Sequence, residues 1–138
     1  MKNNRKRWRM DSDSIPSSLR TWFIIHCIID LLFAIPLFFF PEATLSLIGW
    51  PYYDPLTTRL VAAALFGIGL ESYFGSKAPK SHYLGMLRLK RIWSAAATLG
   101  ILLTMFTLSI KPLIGWVLAL LFAVFHFIWW FYQRKLKE

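Results

Sequence analysis

Residues 22–40, WFIIHCIIDLLFAIPLFFF, form an apolar run that includes His26 and Asp30. Its length matches the roughly 20 residues a helix needs to cross about 30 Å of hydrocarbon. Ionisable side chains at that depth need a partner or a purpose. The run therefore predicts a membrane span and marks a candidate polar site.

Similar apolar runs follow at residues 56–74, 92–110 and 113–132. With 57% hydrophobic and 17% aromatic residues in a chain of 138, four spans and short connections leave no room for a separate soluble domain. The predicted fold is an all-α integral membrane four-helix bundle, up-down-up-down, because short links favour antiparallel neighbours. Its domain plan is a flexible basic tail over 1–20, a transmembrane domain over 21–132 and a basic tail over 133–138.

A formal net charge of +9 could suggest a nucleic-acid binder, but the placement of the cations argues otherwise. Fourteen of the sixteen Lys and Arg fall in three segments: Met1–Arg20, Lys77–Arg91 and Arg134–Lys137. These segments alternate with apolar spans, the positive-inside pattern, which places both termini and the middle loop in the cytoplasm. The expected partner of these charges is the lipid headgroup layer, at about 1 kcal/mol per charge near the surface, not a nucleic acid. Trp22, Tyr73, Trp93, Trp129, Trp130 and Tyr132 are expected at the inner interface, with Trp50, Tyr52, Tyr53 and Trp116 at the outer one. The first run is long for a signal peptide and lacks a small-x-small site after Phe40, so an uncleaved first span is expected.

Local signals fill in the connections. Pro36 removes a donor within the first span. Pro41 opens a short interfacial helix that Gly49 stops. Asp54 followed by Pro55 predicts an N-cap and a proline at the first helical position of the second span. Ser17 or Ser18 is expected to start the first helix, and Ser81 to cap a helix that lies on the surface or extends the third span inward. Steps of four residues place Arg59, Ala63, Gly67 and Glu71 on one stripe; Ala96, Gly100 and Thr104 form another, and Gly115, Ala119 and Ala123 a third, suited to close helix contact.

At about 1.5 Å per residue from the inner ends, Glu71 lies at about 5 Å depth, His26 at about 6–8 Å, His126 at about 9 Å and Asp30 at about 12–14 Å. The candidate site is thus a polar cluster of His26, Asp30, Glu71 and His126 in the cytoplasmic half. Ser94 and Thr98 complete a pocket open to the cytoplasm. His26 and Asp30, four apart, share a helix face. Three readings stay open. The cluster holds the bundle in register, or it lines a pocket for a small amphiphile or quinone-like molecule, or it relays protons or performs catalysis. Arg59, in the outer half, is expected to snorkel to headgroups or to pair across the bundle. His82 is expected to be a solvated loop residue.

No cofactor or metal is predicted. The one cysteine, Cys27, excludes an internal disulfide and a cysteine ligand pair. No E-x-x-H pair of the di-iron bundle type occurs. His26 and His126, at similar depth, are the residues that axial haem ligation would require.

The run FFPEATLSLIGWPYYDPLTTRLVAAALFGIGLESYFG, with LRLKRIWSAAATLG, resembles the small bacterial four-span proteins grouped as DoxX-like, over roughly residues 22–131. The resemblance implies a bacterial inner-membrane location and association with quinone-linked oxidoreductase subunits. It carries over no catalytic residue. The functional expectation is an accessory or lipophile-binding subunit; the alternative is a membrane-embedded enzyme or proton-coupled carrier.

Overall fold

The computed structural model describes residues 15–138. Its elements, in order, are α1 (Ser17–Phe39), α2 (Pro41–Leu47), α3 (Pro55–Phe74), one 3₁₀ turn (Gly75–Lys77), α4 (Lys80–Thr107) and α5 (Leu113–Lys135). No strand occurs among the described residues. Residues 1–14 of the expected basic tail lie outside the described residues.

Prolines and one aspartate fix where the helices begin. Pro16 precedes α1 without a side-chain cap, and its carbonyl accepts from the Leu19 and Arg20 N–H groups. The helix thus starts at Ser17, where its start was expected, five residues before the apolar run. Pro41 starts α2, and Gly49 at φ 75 ends the turn after it, a left-handed conformation that glycine adopts without a steric penalty. Asp54 caps α3 by accepting from the Thr57 N–H at 2.5 Å, and Pro55 follows as the first helical residue. Hydrogen bonding from Thr57, side chain and backbone, holds the Asp54 carboxyl below its ordinary pKa.

The largest departure from the expected boundaries is α4, which begins twelve residues before the predicted third span and ends at Thr107. Pro79, not Ser81, occupies its N-cap. The segment between the second and third expected spans is therefore mostly helix, and of the two placements open for the helix at Ser81 it is the inward extension of the third span that occurs. Likewise α5 runs through Lys135, where Arg134 and Lys135 oppose the partial negative charge of the helix C-terminus.

Three helices, α1, α4 and α5, are long and apolar enough to cross a membrane, which suggests a membrane protein. The fourth expected span, α3, is not among them, since Thr57, Thr58, Arg59, Glu71 and Ser72 dilute its 20 residues.

Backbones approach closely between α1 and α3 and between α4 and α5, and hardly at all between these two pairs. Both pairs are antiparallel. Asp30 faces Gly69, and Ala34 and Leu37 pack with Ala62 and Leu65; Arg91 meets Gln133, and Met105 meets Gly115. At one end the pairs are joined by an apolar plug in which Leu19, Phe23, Tyr83, Leu87, Phe125 and Trp129 are buried. Phe23 packs edge-on to Trp129 at 5.7 Å and tilted on Tyr83 at 4.7 Å. Trp129 and Tyr132, expected in the inner aromatic belt, are buried in this plug.

The buried face of α3 is also displaced from the expected stripe. Ala62, Leu65, Gly69 and Ser72 are buried, while Arg59, Ala63, Gly67 and Glu71 are exposed. A straight row of fours drifts around an α-helix, whereas alternating steps of three and four stay on one face. In α4, Ala96 and Gly100 are exposed and the buried row is Tyr83, Leu87, Lys90 and Ser94. The α5 stripe does pack, through Gly115 and Ala119.

Candidate functional site

His26 and Asp30 sit one turn apart on α1 and are 4% and 5% exposed. His26 Nδ1 lies 2.8 Å from Asp30 Oδ2, and no donor among the described residues, His26 included, meets Oδ2 at hydrogen-bond geometry. Gly69 makes this position possible: a Cβ there would stand 2.8 Å from Asp30 Cβ, closer than two carbon atoms tolerate. The α3 backbone therefore forms one wall of the site.

Sequence reasoning missed the third member. Lys90 of α4 is 2% exposed, and its Nζ lies 3.1 Å from the same His26 Nδ1. Lys90 Nζ also donates to Ser72 Oγ at 2.7 Å, and Ser72 Oγ donates to the Ile68 carbonyl at 2.6 Å. The ammonium stands 5.2 Å from the ring centroids of both Phe23 and Trp129, within the range of cation–π attraction. This cation had been assigned to the headgroup layer with its neighbours. Its signal lay in the spacing Tyr83, Leu87, Lys90, Ser94, a helical stripe that becomes continuous once the helix expected from Ser81 is the inward extension of the third span. Ser72 was hidden in the same way by the misplaced stripe of α3.

The remaining expected members stand elsewhere. Glu71 is 47% exposed at its side chain and pairs with His82 Nε2 at 2.8 Å, with His82 41% exposed. His82 is thus solvated, as expected, but it pairs with Glu71 and stands in the first turn of α4, not in a loop. His126 is half-buried, its Nδ1 3.3 Å from Ser94 Oγ and 3.1 Å from the Arg91 carbonyl. Thr98 donates to the Ser94 carbonyl of its own helix at 2.8 Å. Ser94, Thr98 and His126 therefore form a separate polar seam between α4 and α5, extended by Arg91 donating to Gln133. Arg59 Nε donates to the Phe38 carbonyl at 3.2 Å, filling one acceptor left open at the end of α1.

Next to His26 and Asp30 is a cavity of about 520 Å³. It lies between the two helix pairs and runs from these residues past Phe33, Leu65, Leu118 and Phe122 to Trp50, Tyr53 and Asp54. The pocket had been expected to be polar, to include Ser94 and Thr98, and to open toward the basic loop. Instead its lining is almost wholly apolar, Ser94 and Thr98 do not line it, and it extends toward the opposite end of the helices. The aromatic plug occupies the end where the polar pocket was expected. The volume suits a small molecule, and the combination of an apolar wall with few polar groups is the usual make-up of a ligand site.

No group of three or more His, Cys, Asp or Glu that could hold a metal occurs among the described residues. His26 lines the cavity and His126 does not, so the two do not share a cavity that could receive a haem. Searches with the chain matched no family model, no curated protein and no solved structure.

Proposed function

We propose that this chain is a multi-pass membrane protein that binds a small lipophilic molecule in the cavity between its two helix pairs. The observation that carries the reading is the buried His26–Asp30 pair at the closed end of an apolar cavity of about 520 Å³. A lipophile's hydrocarbon body suits the walls, and its polar end meets His26 and Asp30 at the floor. In this reading α3 is a fourth span. Its Arg59 and Glu71 lie near its two ends and its buried face packs along α1.

The proposed topology has both termini and the Lys77–Arg91 segment in the cytoplasm and Trp50–Asp54 outside, in the inner membrane of a bacterium. The distribution of cations supports it. The DoxX-like resemblance adds membrane oxidoreductase subunits as a partner class. Cysteine labelling in intact cells tests the topology: on a Cys27→Ser background, Ser76→Cys and Lys137→Cys should resist an impermeant reagent and Pro51→Cys should react. Labelling of Ser76→Cys and Pro51→Cys alike would overturn it.

For the binding reading, protein purified in mild detergent should release a defined lipophile on solvent extraction, identified by mass spectrometry. It should also bind added medium-chain lipophiles by native mass spectrometry. Protein that retains no such molecule and binds none would end the proposal. A proton-handling role, as carrier or enzyme, is the second reading. The approach of both Asp30 and Lys90 to one histidine nitrogen favours it, and proton flux in reconstituted vesicles is its test.

A further inference from the structure

The contacts around His26 decide what its ring can offer to the cavity. Lys90 Nζ lies 3.1 Å from Nδ1, and an ammonium only donates. Nδ1 therefore accepts and carries no proton of its own. Asp30 Oδ2, 2.8 Å from the same nitrogen, meets no donor at hydrogen-bond geometry, so it holds no proton on Nδ1 either. The Lys90 charge acts on both the nitrogen and the carboxylate, which offsets the repulsion between these two acceptors.

A neutral imidazole whose Nδ1 accepts bears its proton on Nε2. Nε2 has no hydrogen-bond partner among the described residues. Nor is it one of the sealed partnerless polar atoms, which are Asp30 Oδ2, Arg91 Nε and Trp129 Nε1. Phe125 and Trp129 pack edge-on to the ring, at 4.7 and 5.2 Å, yet His26 still lines the cavity. A ring only 4% exposed thus keeps one unused N–H at the cavity floor.

Charge narrows the choice of head further. Asp30 lines the same floor, whereas Lys90 does not line the cavity and directs its protons to His26, Ser72 and the faces of Phe23 and Trp129. An anionic head would lie beside the Asp30 carboxylate in apolar surroundings with no cation to meet it, which is strongly unfavourable. An ammonium head would set its own protons against the Nε2 proton. A carbonyl oxygen accepts, is neutral and brings no proton.

We infer that the cavity selects a lipophile whose head is a neutral hydrogen-bond acceptor, a carbonyl oxygen, to which His26 Nε2 donates. This rests on the lipophile-binding reading and names the chemistry of its ligand.

The test uses the full chain in detergent and four ligands of one chain length: 2-undecanone, 2-methyl-1-undecene, undecanoate and undecylamine. The alkene has the shape of the ketone with a methylene in place of the oxygen. The ketone-to-alkene affinity ratio should be about tenfold higher in the unaltered protein than in His26→Phe, a factor worth about 1.4 kcal/mol; taking the ratio between the two proteins cancels the ligands' different partition into detergent. The ketone should also bind more tightly than either ion. Should His26→Phe fail to fold, the unaltered protein gives two independent readings. The infrared carbonyl stretch of the bound ketone should fall below its value in detergent alone, and the nitrogen-15 spectrum of His26 should show a pyrrole-type Nε2.

An equal ratio in the two proteins, an unshifted carbonyl stretch or a pyridine-type Nε2 overturns the inference while leaving lipophile binding intact. Tighter binding of undecanoate overturns the requirement for a neutral head. Tighter binding of undecylamine shows that Asp30, not His26, reads the head, and overturns the inference as well. Binding of none of the four overturns the lipophile reading itself.

Discussion

Lys90 Nζ and His26 Nδ1 lie 3.1 Å apart across 64 residues of chain. This contact brings a lysine from a basic segment into the interior and aligns it with the one carboxylate buried there. Lysine, histidine and serine thereby hydrogen-bond one another beside that carboxylate, in a region otherwise built from Phe, Trp and Leu.

Removing one charge of this group should be far more damaging than removing both. Lys90→Met leaves Asp30 uncompensated and should lower stability by about 3–5 kcal/mol. Asp30→Asn combined with Lys90→Met should recover most of that loss. Thermal denaturation of the two single variants and the double variant in detergent measures the coupling; additive losses would show that the two residues do not interact.

The exposed pair between Glu71 and His82 should behave oppositely. Both groups are solvated, and ion pairs of that kind contribute about 0–1 kcal/mol. Glu71→Gln should shift the melting temperature little, and it should leave lipophile binding unaltered. A loss comparable to that of Lys90→Met would place Glu71 in the buried site after all.

Two glycines of α3 provide a matched comparison. At Gly69 an added Cβ meets Asp30 at 2.8 Å, whereas at Gly67 nothing stands within 4 Å. Gly69→Ala should therefore cost about 1–3 kcal/mol by overpacking and should displace Asp30 from His26. Gly67→Ala should be neutral or stabilise by up to about 1 kcal/mol through helix propensity. Equal melting curves for the two would contradict the packing of α3 against α1.

Filling the cavity should abolish binding without unfolding the protein. Leu118 lines its wall and is half-buried, so Leu118→Trp has space to enter. The variant is expected to keep its helical circular dichroism and thermal midpoint within a few degrees, and to lose the extracted lipophile. Retention of the lipophile would move the binding site elsewhere on the protein.

Much of the local structure could be read directly from the chain. Pro41, Gly49, Asp54 and Pro55 act on the backbone of their own neighbours, so the short helix, its stop and the cap of α3 follow from residue type. The His26–Asp30 pair was equally legible, since four residues of helix bring the two side chains together whatever surrounds them. Whether the helix expected at Ser81 runs unbroken into the third span was harder to read, because Arg88, Lys90 and Arg91 interrupt the apolar run without interrupting the helix.

The amino-acid sequence thus determined that this chain forms long apolar helices, where several of them start, and that one helix carries a buried acid–base pair. Only the tertiary structure decided that Lys90 and Ser72 complete that pair, that Glu71 and His126 stand apart from it, and that an apolar cavity borders it. The physical reason is the solvent. Where lipid and core are both apolar, hydrophobicity no longer distinguishes the inward face of a helix from the outward one. The choice of face then falls to close packing and to the pairing of buried charges, and both depend on residues distant in the chain.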